Sequence, residues 1–167
     1  ALSGAGSITG TGAITLQPST AARPVVVANT GAATDFELTA TELWTLANGF
    51  SSITIGSAAG TGALTFGDGA LAGTGFTFND PITLRSAAGA GTVTIDDALA
   101  TSTASDAINL TAGLTITLNA SGDLSTNAGQ VRLHADADND ADGAIVLNSG
   151  SSILSTGGAI VLGGGSD

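Results

Sequence analysis

The residues best suited to chemistry form one run, Asp136-Ala137-Asp138-Asn139-Asp140-Ala141-Asp142-Gly143-Ala144-Ile145. Its carboxylates alternate along the chain. From Asp138 the pattern is Asp-x-Asp-x-Asp-Gly-x-Ile, the first part of an EF-hand-like calcium loop, in which alternate oxygens converge on one hard cation. Asp136, Asp138, Asp140 and Asp142 are the expected metal ligands, with the Ala144 carbonyl as a further one and Gly143 as the turn that lets them converge. Calcium is the expected cofactor. The bidentate Glu that closes such a loop would fall at Ser149, which lowers the expected affinity. Without a cation, carboxylates this close repel one another and loosen the loop.

Other groups offer less. His134 precedes the acidic run and should share the outward face of its strand with Arg132, as a surface histidine; a single His gives little support for a transition-metal site. Asp96-Asp97 is a carboxylate pair of the type that cleaves polysaccharides by general acid–base chemistry. Such sites need a set separation and basic and aromatic groups to hold the sugar. The chain offers only Arg23, Arg85 and Arg132, so the pair is expected to end a strand and open a turn, and no enzymatic activity is expected. Thr92/Thr94 and Thr115/Thr117 resemble the Thr-x-Thr arrays that order water on ice-binding solenoids, but the pattern is expected not to persist at one coil position; Thr simply favours strands. Trp44 and Phe50 offer a ligand-binding patch or, as expected here, a helix packing its apolar side on the rest of the chain. The Gly-Thr-Gly and Gly-Gly-Gly runs lack the Lys and the strand–helix context of a phosphate loop.

The elements that position these groups repeat. Gly143-Ala-Ile-Val-Leu147 returns unchanged as Gly158-Ala-Ile-Val-Leu162, and looser copies begin at Gly12, Gly62, Gly91, Asp106 and Gly129. Each is a turn residue, a spacer, then apolar–variable–apolar, which is a short strand with two side chains on one face and one on the other. Further strands are expected at Ser7–Thr9, Pro24–Val27, Asp35–Thr39, Ser52–Ile55, Phe76–Phe78, Ile82–Leu84 and Ile116–Leu118. One segment differs. Thr39 with Glu42 fits a capping box, Leu43, Leu46 and Phe50 fall at helical spacing, and Gly49 sits where a C′ glycine belongs. A short helix is predicted from about Ala40 to Asn48.

From Ile55 onward, the last apolar residues of successive strands fall at 55, 66, 78, 84, 95, 110, 118, 133, 147 and 162. Such short steps leave no room for crossover helices, which excludes a βαβ fold. A longer register also shows: Leu124–Leu133 resembles Leu154–Leu162, 30 residues later. Two all-β architectures fit, an antiparallel sandwich and a right-handed parallel β-helix. A sandwich wants longer strands, hairpin turns and an aromatic-rich core. The short strands with Ile, Leu and Val inside favour the β-helix, a β-solenoid in which each coil pairs with the next. At roughly 20 residues per coil, about eight coils would make a rod some 40 Å long.

Composition agrees. The 167 residues are enough for one domain with a real core. They include 25 Gly and 3 Pro, and 43% hydrophobic residues against 10% charged ones, which describes a folded chain and not a disordered one. The formal charge of −11 repels phosphate, so neither nucleic acid nor an anionic membrane surface is an expected partner. With no Cys, disulfide frameworks and thiolate metal sites are excluded. No run of 18 apolar residues exists, so no membrane insertion is expected. Ala1–Gly4 read like mid-repeat sequence and Gly163–Asp167 stop without a cap, so residues 1–167 are expected to be a single solenoid segment of a much longer repeat protein.

The strand–turn repeats resemble those of large bacterial surface exoproteins of the filamentous-haemagglutinin and autotransporter-adhesin type. The likeness is carried by Thr41–Gly56 with its Glu-Leu-Trp, by Phe78-Asn-Asp-Pro-Ile-Thr-Leu84 and by Leu133–Gly143. The resemblance implies an extracellular or cell-surface location and a mechanical role as stalk or shaft. It implies flanking solenoid repeats as neighbours, and a cell-surface receptor or glycan as partner. A carbohydrate- or surface-binding module using the helix-bearing side is the alternative expectation, and a polysaccharide-degrading β-helix enzyme the third.

Overall fold

The computed structural model describes residues 6–29, 34–68 and 75–165. The expected mid-repeat start at Ala1–Gly4 lies outside them. In chain order the first elements are β1 (Ala13–Leu16), β2 (Val25–Val27), β3 (Phe36–Leu38), the helix α1 (Ala40–Leu43), β4 (Ser52–Ser57) and β5 (Ala63–Phe66). Then come β6 (Phe76–Phe78), β7 (Ile82–Ser86), β8 (Thr92–Ile95), β9 (Leu99–Thr101) and β10 (Ile108–Ala112). The last are β11 (Thr115–Leu118), β12 (Leu124–Thr126), β13 (Val131–Ala135), β14 (Ala144–Leu147), β15 (Ile153–Ser155) and β16 (Ile160–Gly164).

These strands form three parallel sheets, ordered β1-β4-β7-β10-β13-β16, β3-β2-β5-β8-β11-β14 and β6-β9-β12-β15. Apart from β2 and β3, which pair with each other, sequence neighbours lie on different sheets and strands pair with those of adjacent coils. The fold is the parallel β-solenoid that the spacing predicts. Along the first sheet, Ala13 pairs with Ser52, Ile53 with Ile82, Ile82 with Ile108, Ile108 with Val131 and Val131 with Ile160.

The coil count differs from expectation. The first sheet has six strands, one per coil, and five spacings of about 4.8 Å give an axial length of roughly 24 Å, not 40 Å. The cause is coil length. Each full coil contributes a strand to all three sheets, so it takes 23 to 29 residues to return to the same place in the first sheet; the first return, through β2, β3 and α1, takes 39. The third sheet hides this in the sequence. In β9, β12 and β15 the second inward position is Thr101, Thr126 or Ser155, not an aliphatic residue. Their hydroxyls are satisfied at the adjoining corners: Thr101 Oγ1 donates to the Asp106 carbonyl at 2.9 Å, and Thr126 and Ser155 both donate to the Gly129 carbonyl, at 2.6 and 2.8 Å. A hydroxyl bonded in this way is tolerated inside, but it breaks the apolar–x–apolar pattern.

The core is a set of like-on-like columns. Ile55, Leu84, Leu110 and Leu133 stack through the first sheet, and Phe66, Ile95 and Leu118 through the second; all are buried without measurable exposure. The last coil lies open. Leu147 and Leu162 occupy the same columns and are 48% exposed. Its register also corrects the 30-residue repeat, because Leu124 pairs with Ile153 and not with Leu154. A slip of one residue reverses the face of a strand side chain, and Leu154 accordingly points outward and is exposed.

Near the start the solenoid is less regular. The capping box forms as predicted: Thr39 Oγ1 accepts the Glu42 N–H at 3.2 Å, and Glu42 Oε2 accepts the Thr39 N–H at 2.8 Å. The helix stops at Leu43 and does not reach Asn48. Leu46 is drawn instead into a parallel bridge with Ile8, where the Ile8 N–H donates to the Thr45 carbonyl at 2.7 Å and the Ala47 N–H to the Ile8 carbonyl at 2.9 Å. The strand expected at Ser7–Thr9 is reduced to that bridge. Leu43 is buried, and Trp44 rests on Phe76 of β6 with ring centroids 4.7 Å apart. β6 is the end strand of the third sheet, so the Trp44 ring at the end of α1 lies against the last strand of that sheet.

Candidate metal centre

The acidic run forms the corner between β13 and β14. The equivalent corner of the preceding coil, between β10 and β11, is only Gly113 and Leu114. The longer loop folds over that short corner and reaches the coil before it, where Asp138 Oδ2 accepts the Gly89 N–H. The loop is shaped by its own carboxylates. Asp136, Asn139 and Ala141 all have positive φ, at 51°, 62° and 67°, and Asp136 Oδ1 holds the turn by accepting the N–H groups of Asp140 at 3.0 Å and Ala141 at 3.2 Å. Asn and Asp tolerate this backbone region because their short polar side chains bond locally.

Asp136, Asp138 and Asp140 come together: each offers a carboxylate oxygen, and these oxygens lie within 4.8 Å of one another. Ligands on opposite sides of a calcium-sized ion are separated by up to roughly 5 Å, twice an oxygen–metal distance of about 2.4 Å. An all-oxygen, anionic donor set of this span fits a hard divalent cation. The trio differs from the one implied by the Asp138-Asp140-Asp142 spacing. Asp142 does not join the group; its N–H donates to Asp140 Oδ1 at 3.2 Å. Ala144 is the first residue of β14, and its N–H bonds to the Leu114 carbonyl at 3.2 Å. Gly143 has a role other than the expected turn. A β-carbon there would collide with the backbone N and Cβ of Asp136, so its small size lets the two ends of the loop touch. His134 projects outward beside Arg132, with Nδ1 3.3 Å from the guanidinium.

The remaining candidates take structural places. β8 ends at Ile95, so Asp96 and Asp97 open the following corner as expected. Asp96 Oδ1 accepts from Asn119 Nδ2, and Asn119 Oδ1 from Asn148 Nδ2 at 2.8 Å, a polar ladder along three coils. Asp97 is fully buried, and its Oδ2 accepts the Asp68 N–H at 3.0 Å. Phe50 is buried, whereas Trp44 is 64% exposed, so the two do not form one patch. The Thr-x-Thr pattern does not persist, as expected: Thr92 pairs with Ala63 and Thr115 with Ala144. Single threonines do align, Thr15, Thr54 and Thr83 on the first sheet and Thr65, Thr94 and Thr117 on the second. Val26 and Val146 flank the threonines of the second column, and Glu37 lies beyond Val26.

A second carboxylate pair emerges from the register. Because Ile82 pairs with Ile108, Asp80 and Asp106 sit one coil apart at the same corner. Asp80 is buried, and its Oδ1 accepts the Gly49 N–H at 2.9 Å. Asp106 Oδ2 is buried without a hydrogen-bond partner. Burial pushes the Asp106 carboxyl above its ordinary value and the charge of Asp80 adds to this, against a hydrogen bond with Thr103 that opposes it. The folded chain thus holds this proton to higher pH than the unfolded chain does. The resulting stability is complete below the unfolded value of about 3.9 and is lost as pH rises through the folded value. Asp106→Asn should remove that loss: relative to the unsubstituted chain, its urea midpoint should be higher at about pH 7 than at about pH 3. An equal difference at both pH values would contradict this assignment.

No protein-family model, curated protein or solved structure matches the chain. What stands is the parallel β-solenoid fold and an Asp trio that could coordinate a divalent cation.

Proposed function

We propose that the chain is a stalk segment of an exported bacterial surface protein of the filamentous-haemagglutinin and autotransporter-adhesin type. It serves as a stiff spacer, outside the cell or on its surface, and the reading assigns it no catalytic step. The observation that carries this reading is the unbroken axial ladder, with its apolar columns still open at the last coil, where Ile160, Leu147 and Leu162 are each about half exposed. A further coil of the parent protein would cover them as each coil covers the one before it. Electron microscopy of the intact protein, labelled with an antibody fragment against this segment, tests the proposal. Label along a thin rod is the expected result, and label on a compact head would refute it.

Calcium at Asp136, Asp138 and Asp140 stiffens the stalk in this reading. The support is positional: the loop spans three coils, and its charges repel unless a cation joins them. For an extracellular site with a dissociation constant of about 0.1–1 mM, about 1 mM calcium stabilises the fold by roughly 0.4–1.4 kcal/mol. That corresponds to a rise of roughly 1–5 °C in melting midpoint over EDTA for a domain of this size. The rise should vanish in Asp138→Ala/Asp140→Ala and fall in Gly143→Ala, which displaces Asp136. An unchanged midpoint in the unsubstituted chain, or an equal rise in the double variant, would exclude the calcium site.

A further inference from the structure

The outer face of the first sheet carries a shallow groove of about 440 Å³. The ladder register builds its floor from two rows. Thr83, Asn109 and Arg132 align across β7, β10 and β13, and beside them Arg85, Thr111 and His134. The second row continues to Gly56 on one side and Gly163 on the other, so no side chain closes it at either end. Gly56 is fixed by its backbone, with φ +92° and a β-carbon position that would strike the Arg85 carbonyl.

Two features set this groove apart. First, a chain of net charge −11 places here two of its three basic residues and its single histidine. The third, Arg23, is engaged elsewhere, donating to the carbonyls of Thr34 at 2.9 Å and Asp35 at 2.8 Å. Second, apart from the contact between Arg132 and His134, the fold makes little use of the groove's polar groups. Arg85 Nε is buried and has no hydrogen-bond partner. Among the described residues, Thr83, Asn109 and Thr111 form no side-chain hydrogen bond with the chain. Elsewhere the asparagines bond across coils, as Asn119, Asn148 and Asn29 do. A buried guanidinium nitrogen with no partner costs free energy, which a shift of the Arg85 side chain onto a ligand oxygen in the groove would relieve.

We infer that this groove binds an acidic oligosaccharide, with one oxyanion (a carboxylate or a sulfate ester) held by Arg85 and Arg132 and the neutral hydroxyls placed along Thr83, Asn109 and Thr111. A planar guanidinium matches such an oxyanion with paired, charge-assisted hydrogen bonds. Amide and hydroxyl side chains give and accept the bonds a sugar requires. The surrounding negative charge sets the ligand class: two fixed cations neutralise one or two anionic groups, while a long polyanion is repelled by the rest of the surface. This places sugar recognition on the first sheet and not on the helix-bearing side, and it does not depend on the stalk reading.

Nitrogen-resolved NMR of the Arg Nε–Hε and His ring signals tests the inference. Titrations would use trigalacturonate, a sulfated chondroitin disaccharide, neutral cellotriose and inorganic sulfate. EDTA is present throughout, so that no calcium bridges a sugar to the acidic loop. The expected result is a saturable shift of Arg85, Arg132 and His134 with at least one acidic sugar, and the sugar that binds identifies the anion. Arg85→Gln and Arg132→Gln should each weaken binding about tenfold or more, the loss of one charge-assisted bond. The mapping on the unsubstituted chain stands even if a variant folds poorly. The inference fails if neither acidic sugar gives a saturable shift, if cellotriose or inorganic sulfate binds as tightly, or if both variants keep full affinity.

Discussion

Apart from β3, which pairs only with β2 of its own turn, every strand in this protein is completed by another coil. The backbone hydrogen bonds of a parallel ladder run along the axis, so no coil satisfies its own N–H and C=O groups, and no coil covers its own apolar side chains. Like therefore stacks on like. Ile55, Leu84, Leu110 and Leu133 form one column because each fills the space left by the one before. The same rule explains the two ends. At the start, α1 and the Ile8–Leu46 bridge stand where strands would otherwise be missing. At the last coil nothing among the described residues does so, and Leu147 and Leu162 lie open.

The ladder constrains strands tightly and corners loosely, and the chemistry of the molecule follows that division. A corner can shrink to Gly113-Leu114 or lengthen into the acidic loop without disturbing the columns on either side. Lengthening gives a loop that crosses three coils and gathers three carboxylates. Stacking also brings corner residues into register whatever their charge, which is how Asp80 and Asp106 come to share one edge. On the outward face, strand side chains from successive coils fall into rows about 4.8 Å apart. Those rows create the groove around Arg85 and Arg132.

The strands of the first two sheets were legible because inward aliphatics alternate with Thr and the corners use Gly, Asn and Asp. The third sheet was nearly illegible. Its inner hydroxyls at Thr101, Thr126 and Ser155 are bonded to backbone carbonyls at neighbouring corners, a partnership that no local pattern announces. Missing those strands made the coils seem too short and too many. The helix was overestimated for a similar reason, since the pairing of Leu46 with distant Ile8 overrode its helical spacing. The acidic loop was half legible. Its residues were evident, but the trio that converges depends on positive φ at Asp136 and on contact with Gly143. The groove could not be read at all, because Arg85, Asn109 and Arg132 become neighbours only through the register.

The central claim is a single axial core whose columns are sealed by the coils on both sides. Urea unfolding of Leu110→Ala and Leu162→Ala tests it most directly, because the two leucines stand in one column, one enclosed and the other about half exposed. Leu110→Ala should cost about 2–5 kcal/mol, as a cavity in a closed core does, and Leu162→Ala less than about 1 kcal/mol. Equal losses at the two positions would contradict a core that is closed in the middle and open at its last coil.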